Sequence, residues 1–193
     1  MDDAPFIRHE YIILDASSVI NLYATGYMPE IIRSLLARCA VSDYVKEREA
    51  QAVYGEPDKN GKRERIPIDW DMLIDEGILE ICSINSPSVS NTIIVLASDG
   101  IRGMGEKISG AIAFKNDWGI VLDDHSATSK LAARMPHIQM LTTLDLLQYW
   151  VNSMTISDEI LMAALINLRV RGNYIVPRNH HLYEWVAVYV DDE

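Results

Sequence analysis

The chain has 193 residues, 49% hydrophobic and 23% charged, with 17 basic against 28 acidic residues for a net charge of −11. That length and balance suit one globular domain with a real core and argue against global disorder, and no apolar run reaches the roughly 18 residues of a membrane span. The acidic opening Met1-Asp2-Asp3 is not that of a secretory signal, and the two cysteines, Cys39 and Cys82, show no CxxC spacing, so a cytoplasmic protein with reduced thiols is expected. A strongly acidic surface disfavours broad contact with phosphate backbones but suits an acidic site that holds a cation.

Along the chain, Tyr11-Ile12-Ile13-Leu14 is a compact apolar run ending on Asp15, the pattern of a buried strand. Ser17 or Ser18 is placed to cap a helix through Val19, Ile20, Leu22 and Tyr23, closed by Gly26. Pro29 suits the first turn of a second helix carrying Ile31, Ile32, Leu35 and Leu36. After a short strand at Cys39-Ala40-Val41, Ser42 or Asp43 is placed to cap a third helix over Tyr44 to Tyr54. Gly55 to Arg65 reads as an exposed loop bearing Lys59, Lys62, Arg63 and Arg65.

A short helix over Asp69 to Asp75 precedes a strand from Ile78 to Cys82, and Ser86-Pro87 opens a helix with Val89, Ile93, Val95 and Leu96. The glycine-rich Asp99 to Gly105 leads to a helix from Glu106 to Lys115 and a strand, Gly119 to Leu122, that closes on Asp123-Asp124. A helix through Leu131, a strand from His137 to Leu141 and a helix capped by Thr142 or Thr143 complete the alternation. Strands alternating with helices predict an α/β protein with a mostly parallel central sheet. The tail differs: Ser157-Asp158-Glu159 begins an amphipathic helix with Ile160, Leu161, Leu165 and Leu168, and His180 to Val190 forms a last element of open type. The expected division is 1–155 for the domain and 156–193 for a C-terminal helical extension that packs on the core or on a second copy.

Ligands of open parallel sheets bind beyond the carboxyl ends of the strands. Two predicted strands end there on acids, Asp15 and Asp123-Asp124; Glu106 opens a helix after Gly103-Met104-Gly105, and Glu47 and Glu49 lie on the third predicted helix. Carboxylates gathered in one cleft raise each other's pKa unless a cation sits among them, and all-oxygen ligands favour Mg²⁺ or Mn²⁺. Such an ion lowers the pKa of a bound water and neutralises a phosphodiester, which is nuclease chemistry. Singly, each acid also fits a structural role: Asp15 as a helix cap, Glu106 as a partner of a helix dipole, Glu47 and Glu49 on a solvated face.

The segment Ile13-Leu14-Asp15-Ala16-Ser17-Ser18-Val19-Ile20-Asn21-Leu22 resembles the opening motif of PIN-domain ribonucleases. Arg48-Glu49-Ala50, Gly105-Glu106-Lys107 with the alanine-rich run after it, Val121-Leu122-Asp123-Asp124 and Leu141-Thr142-Thr143-Leu144-Asp145 resemble the later motifs of that family in order. The resemblance runs from about residue 11 to 152 and implies a three-layer α/β/α domain that cleaves single-stranded RNA with Mg²⁺ or Mn²⁺. It implies Asp15, Glu106 and Asp124 as metal-site acids, with Asp123 the alternative to Asp124, and Glu49 as the second-position acid, with Glu47 competing for that role. Ser17 and Thr142 stand as supporting polar residues. Relatives include toxins of toxin–antitoxin pairs, which implies an antitoxin partner and a homodimer, with no membrane partner.

For RNA contact the candidates are Lys59, Lys62, Arg63 and Arg65, with Arg102 nearer the acids. His180-His181 has no third ligand at metal-site spacing, and Tyr183, Trp185 and Tyr189 suit the docking of a terminal element better than base stacking. Two other classes share these features. One is a catalytically silent PIN-fold module acting through protein contacts. The other is a phospho-acceptor receiver-like domain, which lacks here the paired acids after the first strand.

Overall fold

The computed structural model describes residues 7–84 and 87–190; the Met1-Asp2-Asp3 opening and Ser86 lie outside them. β1 (Tyr11–Leu14) is the expected buried strand, with Ile12, Ile13 and Leu14 wholly shielded from solvent. α1 (Ala16–Thr25) follows and stops where Gly26 takes a φ of 81°, a left-handed conformation that costs glycine little. Asp15, not Ser17 or Ser18, occupies the N-cap position, and its side chain makes no capping hydrogen bond. α2 (Met28–Ser34) carries Pro29 in its first turn; Leu36, expected on its apolar face, lies beyond the helix end and is 83% exposed. β2 (Arg38–Ser42) includes the expected Cys39-Ala40-Val41.

The third predicted helix and the loop after it are both corrected. The Ser42 hydroxyl accepts the Val45 N–H at 3.1 Å and starts only a π-helical turn, Val45–Glu49. The chain then enters β3 (Ala52–Pro57), which pairs antiparallel with β4 (Arg63–Pro67), so most of the supposed loop is a hairpin. Three local bonds explain the turn: Asp58 Oδ1 accepts the N–H groups of Asn60 and Lys62, each at 2.8 Å, and Gly61 N–H donates to the Asp58 carbonyl at 2.9 Å. Ile68 N–H donates to the Gln51 carbonyl (3.1 Å) and Trp70 Nε1 to the Ala50 carbonyl (3.1 Å), closing the hairpin base.

α3 (Trp70–Asp75) is capped by Asp69 and leads to β5 (Glu80–Cys82) and α4 (Pro87–Ser98). α5 (Met104–Asn116) begins two residues earlier than expected, and β6 (Gly119–Val121) ends just before Leu122-Asp123. α6 (His125–Arg134) is followed by β7 (Met140–Leu141), shorter than the expected His137 to Leu141, and α7 (Thr143–Met154). α8 (Asp158–Gly172) and the short α9 (Tyr183–Ala187) form the tail.

Five strands make one parallel sheet in the order β5-β2-β1-β6-β7. Counted by chain order within the sheet this is 3-2-1-4-5, which differs from the 2-1-3-4-5 order of receiver-type domains. Strand alternation divides the core. Ile12, Leu14, Val41 and Val121 pack with residues of α1, α2, α7 and α8, whereas Ile13, Ile120 and Leu122 pack with residues of α4, α5 and α6. Helices therefore cover both sheet faces, as an α/β protein with an all-parallel sheet requires. No helix among the described residues is long and apolar enough to cross a membrane.

The tail packs chiefly through α8, which lies along α1. Leu161, Ala164, Leu165 and Leu168 are buried there; Ile160, expected on the same face, is 38% exposed. At the helix end, a Cβ on Gly172 would stand 3.1 Å from Asn21 Oδ1 and 3.2 Å from Ala24 Cβ, tighter than ordinary contact, so a side chain there would require Asn21 or Ala24 to give by a few tenths of an ångström. The histidine pair anchors the terminal segment: the rings stack at 4.5 Å, His181 Nε2 donates to Asp145 Oδ1 (2.7 Å), and His180 Nε2 meets Thr142 Oγ1 (3.2 Å). Trp185 and Tyr189 pack on the core, and the Tyr189 hydroxyl donates to Asp158 Oδ1 at 3.2 Å. Each fully buried leucine of α8 contributes about 1.5–3 kcal/mol. Deleting residues 156–193 is expected to expose α1 and give aggregation, read by size-exclusion chromatography; a soluble truncated chain with unchanged melting would refute this.

Candidate functional site

The sheet order reverses between β1 and β6, the place where open α/β sheets leave a crevice at their carboxyl edge. Asp15 follows β1 and Asp123-Asp124 follow β6, so the two strand-end acids meet at this crevice. A cleft of about 510 Å³ there is bordered by Asp15, Ser17, Glu49, Glu106, Asp123 and Asp124. Three different local devices bring the other acids in.

Glu49 ends the π-helical turn, and its Oε1 accepts the Gly105 N–H at 3.2 Å. Gly105 is required for that approach: a Cβ there would collide with the Glu49 carboxylate and stand 3.2 Å from Asp15 Oδ1. Glu106, in the first turn of α5, accepts the Gly103 N–H at 3.2 Å, so it also satisfies a helix-terminal donor. Asp124 caps α6, its Oδ1 accepting the Ala127 N–H at 2.7 Å. Ser17 Oγ donates to Asp15 Oδ2 at 3.0 Å.

The competing positions separate clearly. Glu47 is exposed and does not border the cleft, whereas Glu49 does. Asp123 borders it too, but its oxygens are taken by the fold: Thr143 N–H and Oγ1 donate at 2.8 and 2.6 Å, and Asn21 Nδ2 donates at 2.8 Å. Asp123 thereby ties the end of β6 to α1 and to the start of α7. Thr142 lies outside the cleft lining and caps α7, accepting the Asp145 N–H at 3.2 Å. Arg102 is exposed beside Gly103. Lys59, Lys62 and Arg65 are exposed on the hairpin, while the Arg63 guanidinium lies over the Tyr54 ring at 4.6 Å.

Burial is the main electrostatic influence. It pushes Asp15 up from 3.8 to about 6, opposed by bonds from the Ala16 backbone and Ser17 and reinforced by the Glu106 and Glu49 charges. Glu106 is also raised, by burial first and then by Asp124 and Glu49, against the Gly103 bond and Lys130. Burial raises Asp123 against its Thr143 and Asn21 bonds. Like charges around a partly buried cleft are what a bound cation would relieve.

The donor set is all oxygen, the chemistry of Mg²⁺ or Mn²⁺. Among the described residues, no three His, Cys, Asp or Glu groups are gathered closely enough to form a ready metal centre. Dispersed carboxylates still suit an ion that keeps much of its water shell and touches one or two of them, as Mg²⁺ does. The tail supplies a wall that sequence reasoning missed: Gly172, Asn173 and Tyr174 border the same cleft. Their only local signal is the helix stop at Arg171-Gly172, which says nothing of what the next residues face. No family model, no curated protein and no solved structure matches the chain.

Proposed function

We propose that the protein is a PIN-like, Mg²⁺- or Mn²⁺-dependent ribonuclease that hydrolyses single-stranded RNA. The observation that carries this reading is the meeting of Asp15, Glu49, Glu106 and Asp124 around one cleft at the reversal of strand order. Asp15, Glu106 and Asp124 would hold the ion, with Glu49 beside them. When bound, such an ion supplies a water of lowered pKa and neutralises charge building on the phosphodiester. The chain's own part is positioning: Ser17 orients Asp15, the Gly105 N–H fixes Glu49, and the first turns of α5 and α6 fix Glu106 and Asp124. Water adds at phosphorus, the P–O3′ bond breaks, and the products are a 3′-hydroxyl and a 5′-phosphate. Cleavage of mixed single-stranded RNA with Mn²⁺, Mg²⁺ or EDTA tests the reading; cutting that survives EDTA would overturn the metal mechanism.

Gly105→Ala is expected to push Glu49 aside and lower cleavage on the order of 10- to 100-fold, by analogy with lost support around metal ligands. Alanine is a good helix former, so the variant's melting should change little. Wild-type rates in that variant would remove Glu49 from the site.

The hairpin offers local positive charge in an acidic protein. Replacing Lys59, Lys62 and Arg65 by Ala is expected to reduce the slope of log affinity against log salt by up to about 2, at roughly 0.7 per phosphate contact on a single strand. An unchanged slope would mark the hairpin as merely solvated. A second reading, a silent module working through protein contacts, is favoured by the net charge of −11. Metal uptake without any RNA cutting would select it.

A further inference from the structure

Beside the acidic cleft lies a second cavity, of about 320 Å³, built wholly from the C-terminal extension. Leu165 and Leu168 of α8 give it an apolar floor, Tyr174 and Tyr183 contribute aromatic rings, and Arg169 and Arg178 contribute cations. Tyr174 borders both spaces, so the cavity is continuous in lining with the candidate catalytic cleft. The backbone places it there. Asn173 ends α8 in a left-handed conformation (φ 55°), and Gly172 lets that end sit against Asn21, whose amide holds Asp123.

The combination has a specific chemistry. Aromatic faces and an apolar floor accept a nucleobase by stacking, and guanidinium groups pair with phosphate. The volume falls within the ordinary range of small-ligand sites, on the order of 300–1,000 Å³. The acidic cleft repels the phosphates on either side of a scissile bond, so attraction must come from cations outside it, and Arg178 is exposed in the lining of the second cavity.

We propose that this cavity is a nucleobase subsite for a nucleotide flanking the scissile phosphate, with Tyr174 as the wall shared with the cleft and Arg178 as a phosphate contact. The proposal rests on the ribonuclease reading and adds a substrate-positioning role for the extension. Its test is equilibrium binding of a short labelled single-stranded RNA to the full chain in EDTA, followed by fluorescence anisotropy across a salt series. Tyr174→Ala is expected to weaken binding roughly 5- to 100-fold, as loss of one stacked base does, while Tyr174→Phe retains it. Arg178→Gln is expected to lower the salt slope by about 0.7. Because Arg178 is exposed, that variant keeps the test decisive if Tyr174→Ala misfolds by thermal melting.

If the wild type cuts RNA with Mn²⁺ yet the folded variants bind with its affinity and slope, the subsite is overturned and the ribonuclease reading stands. If the wild type binds RNA without cutting it, the catalytic reading falls and the variants still decide the subsite. If it neither binds nor cuts RNA, both fall.

Discussion

Replacing Asp15 by Asn is expected to abolish RNA cleavage while making the metal-free protein more stable at neutral pH. The sign follows from burial. Asp15 is 4% exposed, and its pKa rises from 3.8 to about 6 in the folded chain. A carboxyl with a raised folded pKa gives its full stabilisation below the unfolded value and loses it as pH climbs through the folded one. In EDTA the wild type should therefore lose about 2–3 kcal/mol from this group between pH 4 and pH 7. Asparagine carries no charge to desolvate and still accepts the Ser17 hydroxyl bond, so its stability advantage should grow from about pH 4 and level off above about pH 6. Thermal melts of both proteins across pH in EDTA measure the difference, and a pH-independent gap would overturn the electrostatic account. The activity loss should exceed the roughly 10- to 100-fold caused by disturbing groups that merely support metal ligands. Undiminished cleavage would remove Asp15 from the mechanism.

Asp123→Ala and Asp124→Ala are expected to fail in opposite ways. Removing the Asp123 carboxylate leaves the Thr143 N–H, the Thr143 hydroxyl and the Asn21 amide without their acceptor, all around a buried position. Bonds to a charged group are worth about 1.5–3 kcal/mol each in mutational series, and the losses are not additive; a net loss of about 3–5 kcal/mol is expected. Asp124→Ala removes one helix cap, a cost of about 1 kcal/mol. It should nonetheless stop cleavage. Chemical denaturation alongside a cleavage assay separates the two residues. A stable, inactive Asp123→Ala protein with an active Asp124→Ala partner would exchange their roles.

This contrast bears on how the extension and the core cooperate. Asn21 holds Asp123 on one side and is approached by Gly172 on the other, so α8, α1 and the strand-end acids share one set of contacts. A bulky residue at 172 would be felt at the cleft without touching an acid.

What the sequence determined by itself was local. Four apolar residues before Asp15 suffice to bury β1, and Gly26 ends α1 because left-handed backbone is cheap only for glycine. The alternation of strands and helices was legible for the same reason, since each pattern repeats within a few residues. Its strand-end acids were visible because a parallel sheet sends every carboxyl end to one edge. The hairpin was not legible: its pairing joins Ala52 to Pro67, and the gain from that contact lies outside any short window. Tertiary structure alone decided between neighbours. Two residues along a helical turn put side chains on nearly opposite faces, and the Gly105 N–H of α5 holds Glu49 in the cleft while Glu47 stays in solvent. Likewise Thr143 and Asn21, remote in sequence, claimed Asp123 for the fold. Tyr174 reached the cleft only because α8 packs on α1 as closely as Gly172 allows, a long-range contact that no local pattern encodes.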